Sequence, residues 1–137
     1  MLSKVLEHLF LGDAQDVQNE ADLKELSINA VFTVIDVQPR GWTNPMKHVI
    51  MPFERLEENP PWMIDVTDWM TEAMKYGNAV VHCGAGIERS PTVVAVYLMR
   101  KRNMTLDEAI QHLKDVRGSV SHEFIREKIN KHPEWLK

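Results

Sequence analysis

The stretch AVVHCGAGIERSPTVVAVYLMRKR, residues 79–102, reads as a strand, a turn and a helix in that order. Ala79 to His82 is an unbroken apolar run of the kind that is buried on both faces of a parallel sheet. Pro91 stands where the first turn of a helix tolerates a missing N–H, and Thr92 to Arg102 continues as an apolar helix. Between the two lies the segment His82-Cys83-Gly84-Ala85-Gly86-Ile87-Glu88-Arg89-Ser90. In open α/β sheets ligands bind beyond the carboxyl ends of the strands, so this crossing is where chemistry is expected.

The rest of the chain has the same alternation. Leu9-Phe10-Leu11 closed by Gly12-Asp13 predicts a short strand and its turn. Ala14 to Leu26, with Val17, Ala21, Leu23 and Leu26 apolar, predicts an amphipathic helix. Ala30 to Val37 is rich in β-branched residues and is stopped by Pro39 and Gly41; His48 to Phe53 is a second short run that Pro52 brings to an end. Glu54 to Pro61 is polar, ends in Pro-Pro and predicts a surface loop. Trp62 to Tyr76 predicts a helix with Val66, Trp69, Met70, Ala73 and Met74 on its inner stripe and Gly77 as its stop. Thr105 to Glu108 is a capping box opening a helix with Ala109, Ile110, Leu113 and Val116 inward, and Ser121 to Asn130 is a last amphipathic helix. The expected fold is therefore one α/β domain over 1–137, a short, largely parallel central sheet flanked by helices in three layers.

The nine-residue loop concentrates the chemistry. Gly84, Ala85 and Gly86 let the backbone curl so that successive N–H groups, continuing through Ile87 and Glu88, form a nest for an anion. The following helix aims the positive end of its dipole at the same point. Arg89 adds a planar fork suited to two phosphate oxygens at once. That positive field also favours the thiolate of Cys83, the form in which a cysteine is a nucleophile. A lone cysteine is ordinarily a small core hydrophobe, and an arginine after a glycine-rich turn is ordinarily a surface charge. Cys83 and Arg89 with five residues between them, His82 before and Ser90 after, make a phosphate-binding nucleophile site the stronger reading.

Composition narrows the classes. The 137 residues are 44% hydrophobic and 26% charged, a globular balance that excludes disordered and collagen-like chains. One cysteine excludes an intramolecular disulfide framework and points to a reducing compartment, so a cytoplasmic protein is expected. Lys4, Glu7 and His8 interrupt the first eleven residues, so no signal-peptide core is expected, and no run is long enough for a membrane span. Sixteen basic against twenty acidic residues give no general attraction to nucleic acid or anionic lipid. The six histidines show no His-x-His or i, i+4 pairing, so no metal site and no cofactor is expected.

The segment His82 to Ser90 resembles the signature loop of the cysteine-dependent protein tyrosine phosphatases, His-Cys-x5-Arg-Ser/Thr. With Ala85-Gly86 in the middle and Ser90-Pro91-Thr92 after the arginine, it most resembles the dual-specificity phosphatases. Leu9 to Ala14, Leu26 to Val31 and Leu106 to Arg117 are similar to further segments of that family, so the resemblance covers roughly residues 3 to 130. It implies a phosphatase-type three-layer sandwich. It also implies that Cys83 attacks phosphorus to form a phosphocysteine intermediate, while Arg89 and the loop from Gly84 to Glu88 hold the phosphate oxygens. By the same resemblance Ser90 assists the departing thiolate and His82 braces the loop. The substrate would be a phosphoprotein or phosphopeptide carrying phosphotyrosine, with phosphoserine and phosphothreonine as further candidates, and the protein a monomer.

One departure concerns the proton donor. The family carries an aspartate after a strand of the type Ile-Pro-Val-x-Asp; here Met51-Pro52-Phe53-Glu54-Arg55 places Arg55 in that position. The neighbouring carboxylates are Glu54, Glu57 and Glu58, with Asp36 a further one at the end of the previous strand. Glu54 or Glu57 is the candidate to replace it, and all four also read as solvated loop charges. Without a donor the chain would be a catalytically weak pseudophosphatase that binds phosphopeptides. Phosphoinositide or RNA phosphatases and rhodanese-like sulfurtransferases fit less well, because the loop lacks lysine, the isoelectric point is about 5.8 and Ser90 follows the arginine.

Overall fold

A computed structural model describes residues 1–37, 42–43 and 46–137. These residues form a five-stranded sheet of β1 (Ser3–Leu6), β2 (Leu9–Gly12), β3 (Ile28–Thr33), β4 (Lys47–Ile50) and β5 (Asn78–His82), in the order β1-β2-β5-β3-β4. β2, β5, β3 and β4 run parallel to their neighbours, and β1 folds back antiparallel on β2. The helices are α1 (Ala14–Gln18), α2 (Glu20–Glu25), α3 (Phe53–Glu58), α4 (Pro61–Met74), α5 (Arg89–Lys101), α6 (Leu106–Val116) and α7 (His122–Lys131), followed by a 3-10 turn at Pro133–Leu136. The expected fold class, a short and largely parallel sheet flanked by helices, is the one adopted.

The strand period of two decides the layers. Leu9, Leu11, Phe32, Ala79 and Val81 face the large core formed with α4 to α7, while Phe10, Val31 and Val80 face a smaller core with Val17 of α1 and Leu23 of α2. β5 lies between β2 and β3, so its apolar run is covered on both faces and both edges. α5 sits between the sheet and the C-terminal helices, which is why Val93 to Val96 and Leu98 are all buried rather than only one stripe. Each valine and leucine among them contributes about 1.5–3 kcal/mol by leaving water.

Several local expectations are corrected. The single helix expected over Ala14 to Leu26 is two, because Asn19 caps α2 by accepting from the Asp22 N–H at 3.3 Å. β3 ends at Thr33 rather than Val37: Val34 N still makes the ladder bond to the His82 carbonyl at 3.1 Å, and the chain bends at Ile35 and Asp36. The expected stop signals Pro39 and Gly41 lie outside the described residues. Where Glu54 to Pro61 predicted a loop, α3 forms. Its Phe53 packs edge-on against Trp135 at 5.8 Å, and Trp135 Nε1 donates to the Leu56 carbonyl at 3.1 Å. Trp69, expected in the core, is 40% exposed, and Val116 is on the outer side of α6. β1 and the closing 3-10 turn were not anticipated. No helix among the described residues is long and apolar enough to cross a membrane.

Candidate active site

β5 delivers His82 and Cys83 to the carboxyl edge of the sheet, and α5 begins at Arg89. Two donors converge on the buried Sγ of Cys83: the Gly86 N–H at 3.3 Å and Ser90 Oγ at 3.1 Å. Both stabilise negative charge on sulfur. Gly86 has φ +71°, and a Cβ there would stand 2.8 Å from the Gly12 carbonyl oxygen, so the tight curl admits glycine alone without strain. The guanidinium of Arg89 lies over the first glycine: a Cβ on Gly84 would be 3.5 Å from its Nη2. Glu88 precedes α5 with its side chain exposed, so its charge is solvated rather than buried within the loop.

Four of the loop carbonyls are held by hydrogen bonds from outside the loop. Gly84 O accepts from Ala14 N at 3.1 Å, Gly86 O from Arg117 Nε at 3.1 Å, Ile87 O from Ser121 N at 2.7 Å and Glu88 O from Thr92 Oγ1 at 2.7 Å. In a trans peptide the N–H of the next residue points opposite to the carbonyl. Pinning these carbonyls therefore turns the N–H groups of Ala85, Ile87, Glu88 and Arg89 to the other side, leaving them for an anion. Arg117 also donates to Met1 O at 2.8 Å and Ser3 Oγ at 3.1 Å, and faces Asp16 at 3.8 Å. Sequence reasoning assigned Arg117 no part in the loop. Its only signal was a cation just past a helix end, which is ordinarily dipole compensation.

His82 is fixed by a directional chain. Its Nδ1 lies 3.2 Å from the Cys83 carbonyl, which can only accept, so Nδ1 carries the proton. Neutral His82 then has a bare Nε2, which accepts from Thr33 Oγ1 at 2.7 Å. Thr33 has no second proton, so it accepts from His48 Nε2 at 2.7 Å. Burial, reinforced by His48, holds the pKa of His82 down to about 4, although the Cys83 carbonyl pulls it the other way. Burial lowers that of His48 as well. His82 thus braces the loop as a neutral donor to its first carbonyl.

The carboxylate candidates separate in space. Glu57 Oε2 accepts from Lys128 Nζ at 2.9 Å and lies 3.2 Å from His132 Nε2. Burial raises its pKa, and these two partners outweigh that and hold it below the usual carboxylate value. Glu57 is thereby tied to α7 and to the residue that follows it. Glu54 is exposed in the first turn of α3. Asp36 and Arg55 line one cavity of about 330 Å³ with Ile50, Met51, Pro52 and Trp62. Trp62 lines this cavity, whereas Trp42 packs on the smaller core and donates to the Val17 carbonyl at 3.0 Å.

Residues 9–131 match the family described as dual specificity phosphatase, catalytic domain. The chain belongs to the dual-specificity phosphatase family. Human dual specificity protein phosphatase 2 is 32% identical over 129 residues, a match covering 88% of this chain and 40% of that protein. Human dual specificity protein phosphatase 16 is 31% identical over 126 residues, covering 89% and 19%. The chain therefore spans less than half the length of these relatives. The crystal structure of human DUSP28 superposes with a TM-score of 0.85 at 24% identity, covering 99% of this chain and 97% of that one. That of human tyrosine phosphatase-like serine/threonine/tyrosine-interacting protein gives 0.75 at 17%, covering 96% and 97%. Within this dual-specificity phosphatase fold, the loop from His82 to Ser90 occupies the carboxyl edge of the sheet.

Proposed function

We propose that this dual-specificity phosphatase domain hydrolyses phosphotyrosine, and phosphoserine or phosphothreonine, in a phosphoprotein through a phosphocysteine intermediate. The observation that carries the reading is the pair of donors on Cys83 Sγ inside a loop whose carbonyls are pinned outward. The thiolate attacks phosphorus in line, the S–P bond forms and the ester P–O bond breaks. Arg89 and the loop N–H groups hold the equatorial oxygens, whose charge is redistributed in the transition state. Ser90 Oγ, already on sulfur, supports the thiolate when water displaces it. The chemistry needs a reduced Cys83, which fits an enzyme of the cytoplasm.

Turnover of p-nitrophenyl phosphate in the presence of EDTA, abolished in Cys83→Ser, is the expected result. Absence of turnover, with phosphopeptide still bound, would establish the second reading, a pseudophosphatase. Arg55 favours that reading, because it puts a cation where the resemblance implies a proton donor.

A further inference from the structure

Expulsion of a serine, threonine or tyrosine oxygen needs a proton, and the carboxylates at the carboxyl edge of the sheet can be taken in turn. Asp13 and Asp16 form a capping box at α1 and face Arg117. Glu57 is held by Lys128 and His132. Glu88 belongs to the phosphate loop itself, and Glu54 and Glu58 lie on α3 outside the lining of the cavity beside it. Asp36 lines that cavity, is exposed, and makes no ion pair or hydrogen bond with the described residues.

The backbone carries Asp36 to the right level. Thr33 is the register partner of His82 in the parallel pair β3 and β5, and Val34 N donates to the His82 carbonyl at 3.1 Å. Val34 is therefore level with Cys83. Two residues of chain at ~3.3 Å each bring Asp36 up to ~7 Å beyond that level, one strand spacing to the side. In-line attack leaves the departing oxygen on the far side of phosphorus from Sγ, which is outward from the strand ends. The far wall of the cavity is tied to the same strand end, since Met51 N donates to Thr33 O at 2.8 Å and Phe53 N to Val34 O at 2.9 Å.

We propose that Asp36 is the proton donor to the leaving oxygen, acting from the end of β3 across the cavity it shares with Arg55 and Trp62. This rests on the phosphatase reading above. The protonated carboxyl gives its proton to the ester oxygen as the P–O bond breaks and the S–P bond forms. The resulting carboxylate then takes a proton from the water that attacks the phosphocysteine, releasing inorganic phosphate and the Cys83 thiolate.

The test compares wild type, Asp36→Asn and Glu54→Gln on p-nitrophenyl phosphate, a phosphotyrosine peptide and a phosphoserine peptide. The readout is kcat/KM, which ends at P–O cleavage and excludes breakdown of the common phosphocysteine. p-Nitrophenolate leaves without a proton, so Asp36→Asn should cost less than about threefold there and on the order of a hundredfold on phosphoserine. It should also abolish the alkaline limb of the pH–rate profile. Equal losses on all three substrates, or none, would overturn the assignment, as would the graded loss appearing in Glu54→Gln instead. The failure of the phosphatase reading looks different: wild type itself would then turn over none of the three.

Discussion

Arg117 Nε donates to the carbonyl of Gly86 at 3.1 Å, joining the far end of α6 to the tightest point of the phosphate loop. The same guanidinium reaches Met1, Ser3 and Asp16, so the loop is clamped to the first strand and to the cap of α1. Arg117 touches the loop's outer side and acts on phosphate only through its backbone.

Arg117→Ala should therefore weaken vanadate binding and lower kcat/KM by about 10- to 100-fold, the scale on which a small misplacement of the binding groups is felt. Arg117→Lys keeps the charge but cannot reach Gly86, Met1 and Ser3 together, and should recover little. Isothermal titration with vanadate beside a thermal melt checks this. Loss of stability with unchanged vanadate affinity would reduce Arg117 to a structural residue.

Gly86→Ala meets two obstacles, a left-handed φ and atoms of Gly12 and Arg117 at 2.8 Å. A non-glycine residue held in such a conformation costs about 1–3 kcal/mol, and the clash adds to it. The mutant should melt several degrees lower and lose oxyanion binding. Gly84→Ala, with its nearest contact at 3.5 Å to the flexible end of Arg89, should be much milder.

Ser90→Ala removes one of the two donors on Cys83 Sγ while leaving the Gly86 N–H in place. Formation of the intermediate should be little changed and its breakdown slowed, so rapid mixing with p-nitrophenyl phosphate should give a burst of p-nitrophenolate followed by a slow steady state. A mutant with no burst and full kcat would remove Ser90 from the second step.

Acid should destabilise the fold through His82. Its pKa is pushed from 6.5 in the unfolded chain to about 4 in the folded one, chiefly by burial. Between those values the unfolded state binds the extra proton, so stability falls as pH drops through the window and levels off below it. The displacement corresponds to about 3 kcal/mol. His48, lowered in the same direction, adds to the slope. Urea unfolding at a series of pH values should show this loss, and His82→Gln should flatten part of it. Thr33→Val, which leaves His82 Nε2 without its donor, should cost about 1–3 kcal/mol at neutral pH. Stability that is flat in wild type between pH 6.5 and 4 would contradict the directional chain.

The alternation of strands and helices, the burial of β5 on both faces and the nucleophile loop were legible because each rests on local signals. An unbroken apolar run, a glycine turn, Pro91 in a first turn and the Thr105–Glu108 capping box act within a few residues of themselves. The spacing of Cys83, Arg89 and Ser90 needs only one turn of chain to bring Ser90 Oγ onto Cys83 Sγ and the Arg89 guanidinium beside Gly84. What failed to read depends on partners far away. α3 is helical because Phe53 and Leu56 meet Trp135, about eighty residues on; its apolar spacing of three was present, but the flanking prolines read more strongly as loop. Glu57 as a catalytic candidate was indistinguishable from Glu54 until Lys128 and His132 claimed it. Arg117 reads as an ordinary cation after a helix, and only the return of α6 over the loop makes it a clamp. The sequence alone determined which residues could form an anion-binding loop with a nucleophile beneath it, because short-range backbone geometry suffices for that. Tertiary structure decided which way the loop's amides point and which carboxylate shares a cavity with Arg55, because both depend on hydrogen bonds and packing between segments that the chain order keeps apart.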